Sequence, residues 1–124
     1  MAKKILLIED EEVLSNLLNR KLEESGYEVT VAFDGEEGLA IMKKQKPDLI
    51  LLDIVMPKMG GFEVMENMNR TPGLELKQLP VIVVSNSGQP VEIDRALELG
   101  IRDYLIKTQF DPQEVVDKVK KILG

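Results

Sequence analysis

Residues 49–53, LILLD, carry an aspartate to the end of an oily run, and IVMPKMGG follows at once. A carboxylate half-buried by such a run needs a partner. Other short apolar runs end in equally polar groups: Glu9 and Asp10 follow KKILLI (3–8), Ser85 closes LPVIVVS (79–85) with Asn86 next, and Lys107 closes RDYLIK (102–107). If the runs holding Asp10 and Asp53 lie side by side, three carboxylates converge, and like charges so placed resist ionisation. Such a cluster wants a cation. The chain has no histidine or cysteine, so the ligands are oxygen only and suit a hard ion, Mg²⁺ better than a fully caged Ca²⁺. A hydroxyl at Ser85 and an ammonium at Lys107 add a hydrogen-bond donor and a point charge of the kind that hold phosphoryl oxygens. Together these groups describe phosphoryl transfer, with a carboxylate as the nucleophile.

Each group alone has a plainer reading. Glu9 and Asp10 also suit the start of a helix, where acids favour the dipole. Ser85 suits a loop hydroxyl bonded to local backbone, and Lys107 a solvated strand end. The coincidence of all of them at the ends of apolar runs is what favours a shared site.

The elements that must position these residues alternate. Five β-type runs (3–8, 27–32, 48–53, 79–85 and 102–107) are separated by helical patterns. Val13, Leu14, Leu17, Leu18 and Leu22 are spaced for one helix face, closed by Gly26. Asp34-Gly35 opens a second helix that Lys46-Pro47 ends. A third is expected from about Gly61 to Arg70 with Phe62, Met65 and Met68 inward, followed by a TPGLELKQ loop. A fourth spans Pro90 to Leu99 with Ile93, Ala96 and Leu97 on one side and Gly100 as its stop. The last begins at Asp111-Pro112-Gln113-Glu114, an N-cap, a proline at the first helical position and a capping-box glutamate. Runs 1, 3 and 4 are nearly continuous in Val, Ile and Leu, as strands covered on both faces should be. The pattern predicts an α/β fold, a parallel sheet between two helix layers. In such sheets ligands bind beyond the carboxyl ends of the strands, where the polar residues above fall.

Composition sets the frame. At 124 residues the chain fits one domain, residues 1–124, able to bury roughly two-thirds of its unfolded surface. The net charge of -6 argues against direct nucleic-acid binding or adhesion to an anionic membrane. No apolar stretch approaches the roughly 20 residues of a membrane span, and the N-terminal apolar run is too short for a signal peptide. A cytoplasmic protein is expected.

Four segments in order, LLIEDEE, PDLILLDIVMPKMGG, VIVVSNS and LELGIRDYLIK, resemble the response-regulator receiver domain of two-component signalling over essentially the whole chain. The resemblance implies a doubly wound five-stranded sheet of flavodoxin-like order 2-1-3-4-5 with five helices. It implies Asp53 as phosphoacceptor and Glu9 and Asp10 as the acid pocket. Asp10 and Asp53 would bind Mg²⁺ directly, with the Val55 carbonyl. Ser85 would be the switch hydroxyl, Lys107 the contact to the phosphoryl group, and Tyr104 the aromatic that changes rotamer. The phosphoryl group would come from a histidine kinase or phosphotransfer protein, and the remodelled partner face would be helix 4, strand 5 and helix 5. With Gly124 last, output through protein contact is expected rather than through an attached domain.

Two positions depart from the family pattern. Thr108 follows the lysine where proline is usual, so a cis bond there would cost ~3 kcal/mol and a trans loop is the alternative. Asn86 stands where a small residue is common; with Val55 it could restrict the hydrolytic water, and a slow loss of phosphate is expected. Two rival readings remain: a receiver-like interaction domain without the chemistry, and a phosphohydrolase of the haloacid-dehalogenase type. The latter expects a second aspartate two residues after the nucleophile, where Val55 stands.

Overall fold

The computed structural model describes residues 2–124. Strands and helices alternate without exception: β1 (Lys4–Ile8), α1 (Glu12–Glu24), β2 (Glu28–Ala32), α2 (Gly35–Lys44), β3 (Leu49–Leu52), α3 (Gly61–Asn69), β4 (Val81–Ser85), α4 (Pro90–Leu99), β5 (Asp103–Ile106) and α5 (Pro112–Leu123). All pairings are parallel, in the order β2-β1-β3-β4-β5. This is the doubly wound α/β sheet that the sequence and the resemblance imply.

Strands β1, β3 and β4 lie inside the sheet, and β3 and β4 are buried at every position, which is why their sequences run apolar without alternating. One face carries Ile5, Leu7, Leu49, Leu51, Ile82 and Val84 against Leu18 and Leu22 of α1 and Val115, Val116 and Val119 of α5. The other carries Leu6, Ile8, Ile50, Leu52, Val81 and Val83 against α2, α3 and α4. The helix ends follow local chemistry. Asp111 accepts from the Glu114 amide while the Glu114 carboxylate accepts from the Asp111 amide, the predicted capping box. Gly100 closes α4 at φ 109°, a conformation costly for any side chain.

Some inward faces differ from the sequence reading. Val13 is 82% exposed and Leu97 52% exposed. Each lies about 100° round its helix from the stripe that packs, which runs through Leu14, Ser15, Leu18 and Leu22 in α1 and through Ala96 in α4. In α3 the core positions are Val64, Met65 and Met68. Phe62 is half-buried, with the Arg95 guanidinium 4.1 Å above its ring and bonded to Glu66 at 3.1 Å. In the loop after α3, Leu74, Leu76 and Leu79 are buried in the same core, and Asn69 fixes the Leu76 amide at 2.9 Å.

Candidate functional site

The register decides which strand ends meet. Ile8 pairs with Leu52 across the β1–β3 ladder, so Glu9 and Asp53 emerge side by side, and the Asp53 amide donates to the Ile8 carbonyl at 3.0 Å. One carboxylate oxygen from each of Glu9, Asp10 and Asp53 lies within 4.8 Å of the others. Glu9 and Asp53 are buried while Asp10 is exposed. Asp53 is held at both oxygens, Oδ1 by the Ile54 amide at 2.7 Å and Oδ2 by Lys107 Nζ at 3.1 Å. Glu9 accepts from the Glu11 amide at 3.0 Å and from Lys107 Nζ. It does not cap α1, whose N-cap, Glu11, makes no side-chain capping bond.

Lys107 thus sits among acids. Its Nζ reaches Glu9 Oε1 at 3.0 Å and Asp53 Oδ2 at 3.1 Å. The third partner, Glu11 at 2.8 Å, was not singled out from the sequence. The acidic run EDEE holds it, but nothing there says which of four acids turns inward. Even with the lysine present, burial and the charge of Asp53 push the Glu9 carboxyl up to about 7, while the Glu11 amide and Lys107 pull it down. Lys107 moves up as well: burial disfavours its charge, but hydrogen bonds to Glu11 and Glu9 and the charge of Asp53 outweigh that. A single ammonium leaves the cluster short of positive charge. The oxygen-only donors fit a hard divalent ion.

An open cleft of about 390 Å³ beside them is lined by Asp10, Glu11, Asp53, Val55, Asn86 and Lys107. The turn after Asp53 depends on glycine. A Cβ on Gly61 would meet the Asp53 carbonyl oxygen at 2.4 Å and Ile54 Cα at 2.8 Å, so the chain passes directly behind the candidate nucleophile. Gly61→Ala should therefore push that loop outward and lower stability by about 1–3 kcal/mol, the usual cost of overpacking, measured by urea unfolding.

Ser85 and Tyr104 stand apart from the cleft wall. The buried Ser85 hydroxyl accepts from the Ser87 amide at 3.1 Å, the local bond that its plainer reading described. Tyr104 is half-buried, and its hydroxyl donates to the Ser87 carbonyl at 2.8 Å. Strand β5 is thereby tied to the loop after β4. Among the described residues no peptide bond is cis; the Lys107-Thr108 bond is trans, and the Lys107 amide donates to the Ser85 carbonyl at 2.7 Å. The lysine reaches the acids through the trans loop.

A family model for the response regulator receiver domain matches residues 5–120. The chain belongs to the response-regulator receiver family. Among curated relatives, the alkaline phosphatase synthesis transcriptional regulatory protein PhoP of Bacillus subtilis is 41% identical over 123 residues, covering 99% of this chain and 49% of that protein. The transcriptional regulatory protein CpxR of Klebsiella pneumoniae is 38% identical over 120 residues, covering 97% and 49%. The receiver domain thus spans about half the length of these relatives. Of solved structures, a putative response regulator from Chloroflexus aurantiacus superposes with a TM-score of 0.89 at 32% identity, covering 99% of this chain and 98% of that one. The chemotaxis protein CheY4 of Vibrio cholerae gives 0.88 at 26%, covering 98% and 99%.

A receiver domain is a phosphorylation-dependent signalling domain rather than a turnover enzyme. The position two residues after Asp53 is Val55, 75% exposed. Among the described residues no helix is long and apolar enough to cross a membrane.

Proposed function

We propose that this receiver domain takes a phosphoryl group onto Asp53 from a histidine kinase or a phosphotransfer protein. The observation that carries the reading is the meeting of Glu9, Asp10 and Asp53 within 4.8 Å, with Lys107 Nζ 3.1 Å from Asp53. Mg²⁺ would be held by Glu9, Asp10, Asp53 and the Val55 carbonyl, and it supplies charge neutralisation for the incoming phosphoryl oxygens. An Asp53 carboxylate oxygen forms the new bond to phosphorus. The donor's P–N bond breaks with its electron pair leaving on the imidazole; from a small acyl phosphate, the P–O bond breaks and the carboxylate leaves. Lys107 provides a fixed positive charge beside the transferred group.

The phosphoryl oxygens then offer the Ser85 hydroxyl proton a strong acceptor, whereas the bond the hydroxyl makes now is one in which its oxygen accepts from the Ser87 amide. Turning the hydroxyl toward Asp53 draws in the loop that Tyr104 holds through Ser87. The phosphoryl group acts by biasing two conformations, and a shift from 1:99 to 99:1 requires ~5.5 kcal/mol of preference for one. The partner face would be α4, β5 and α5, a reading supported by the exposed Val91 and Leu97 on α4. The site lies on a net-negative domain, which supports a protein target over nucleic acid, in a cytoplasmic setting.

Incubation with Mg²⁺ and acetyl phosphate, followed by intact-mass measurement and peptide mapping, tests this. One labile phosphoryl group on Asp53 is expected. Release of phosphate from many esters would point to a hydrolase, and no adduct even with a cognate kinase to an inert domain. Val55 and Asn86 both line the cleft, where they crowd the approach of water to the phosphoryl group. Val55→Asn and Asn86→Ala should each speed loss of the phosphoryl group several-fold; unchanged decay rates would remove that account of a slow off-reaction.

A further inference from the structure

A lysine ammonium has three N–H donors, and in this structure three carboxylates take them: Glu9, Glu11 and Asp53, at 2.8–3.1 Å. Lys107 is saturated. For it to hold a phosphoryl oxygen, one partner must let go. While the phosphoryl donor approaches and Asp53 is still a carboxylate, Glu9 and Asp53 are poor candidates, because their side chains are 2% and 6% exposed and each is also fixed by a backbone amide. The Glu11 side chain is 57% exposed and accepts from no donor but Lys107 among the described residues. Its carboxylate can pass into water at little cost.

Glu11 has no competing structural duty that explains this orientation. It occupies the N-cap of α1, a position where Ser, Thr, Asp or Asn usually bonds the helix amides, yet its side chain makes no capping bond. It turns instead across the cleft, whose wall it forms with Asp10 and Asp53.

We propose that Glu11 is a positioning residue, an exposed carboxylate that stands in for the phosphoryl oxygen on Lys107 and must be displaced for the site to be charged. The inference rests on the proposed role of Asp53 and Lys107. Glu11 keeps the ammonium aimed at Asp53 in the resting protein and sets how readily Lys107 can be recruited.

Two readouts test it on the full chain. The first needs no phosphate: reductive methylation of Lys107, followed by mass spectrometry relative to the other lysines, reports how firmly its three N–H groups are held. Glu11→Gln should raise Lys107 labelling about two- to fivefold, the range of an ion pair with one exposed member. The second is the rate of Asp53 phosphorylation by acetyl phosphate with saturating Mg²⁺, which should rise by a similar factor. Glu12→Gln removes the same charge from an exposed neighbour that does not touch Lys107, and should leave both rates unchanged. The proposal is overturned if Glu11→Gln moves only one of the two rates or neither, or if Glu12→Gln moves them equally, since the effect is then general charge. A wild-type protein that forms no Asp53 adduct while its Lys107 labelling still responds to Glu11→Gln would show instead that the underlying reading had failed.

Discussion

Asp53→Asn protein, incubated with Mg²⁺ and acetyl phosphate, should gain no phosphoryl group, and its metal-free form should be more stable than wild type near neutral pH. The first half follows from what remains. An amide oxygen is a far weaker nucleophile than a carboxylate. Glu9 cannot substitute, because its oxygens are buried and committed to Lys107 and the Glu11 amide. Asp10, though exposed, lacks the bond to Lys107 that holds Asp53 in place. The second half follows from the balance of charge. Asp53 is one of the causes that hold the Glu9 carboxyl up, after burial itself, and three converging acids share one lysine. Neutralising Asp53 removes repulsion and the desolvation of one anion, and Lys107 keeps Glu9 and Glu11 as partners. A gain of about 1–2 kcal/mol is expected, in the range seen when a strained functional site is relaxed. Urea unfolding without metal measures it. A mutant less stable than wild type would mean that the Lys107–Asp53 pair outweighs the repulsion; a mutant that still takes phosphate would move the acceptor elsewhere.

The architecture was legible because its signals are local and redundant. LILL and VIVV are apolar at successive positions, as strands covered on both faces are, and both are buried throughout. The capping box at Asp111 is a four-residue pattern with one geometric solution. Strand ends then placed Glu9, Asp10, Asp53 and Lys107 near one another without knowledge of any loop. What escaped depends on orientation rather than type. Val13 and Leu97 fit an apolar stripe by spacing, but the stripe's edge is set by how the helix rolls against the sheet. Glu11 is one acid in a run of four, and only the path of the chain into α1 turns it onto Lys107. The Ser85 and Tyr104 contacts with Ser87 belong to a loop whose conformation no spacing encodes. The roles of these residues, as distinct from their positions, came from the resemblance to the receiver family.

Protons and Mg²⁺ should compete for this site, with Glu9 as the group over which they compete. Burial and the charge of Asp53 hold its carboxyl at about 7 instead of the ordinary 4.5. Folding therefore favours the protonated form. The contribution of Glu9 to stability is complete below its unfolded value and is lost as pH rises through 7, by about 3 kcal/mol at most in metal-free protein. Mg²⁺ affinity runs the other way, because the ion needs the ionised carboxylate: it should strengthen as pH rises toward 7 and level off above. Calorimetric titration with Mg²⁺ in two buffers of different ionisation heat counts the protons released. Close to one is expected at about pH 6, where Glu9 is mostly protonated, and only about a tenth of one at about pH 8. Glu9→Gln should abolish the difference and flatten the loss of metal-free stability between those pH values. Equal proton release at both, or a Glu9→Gln protein that behaves as wild type, would show that Glu9 is already ionised in the resting protein and that Lys107 alone balances the cluster.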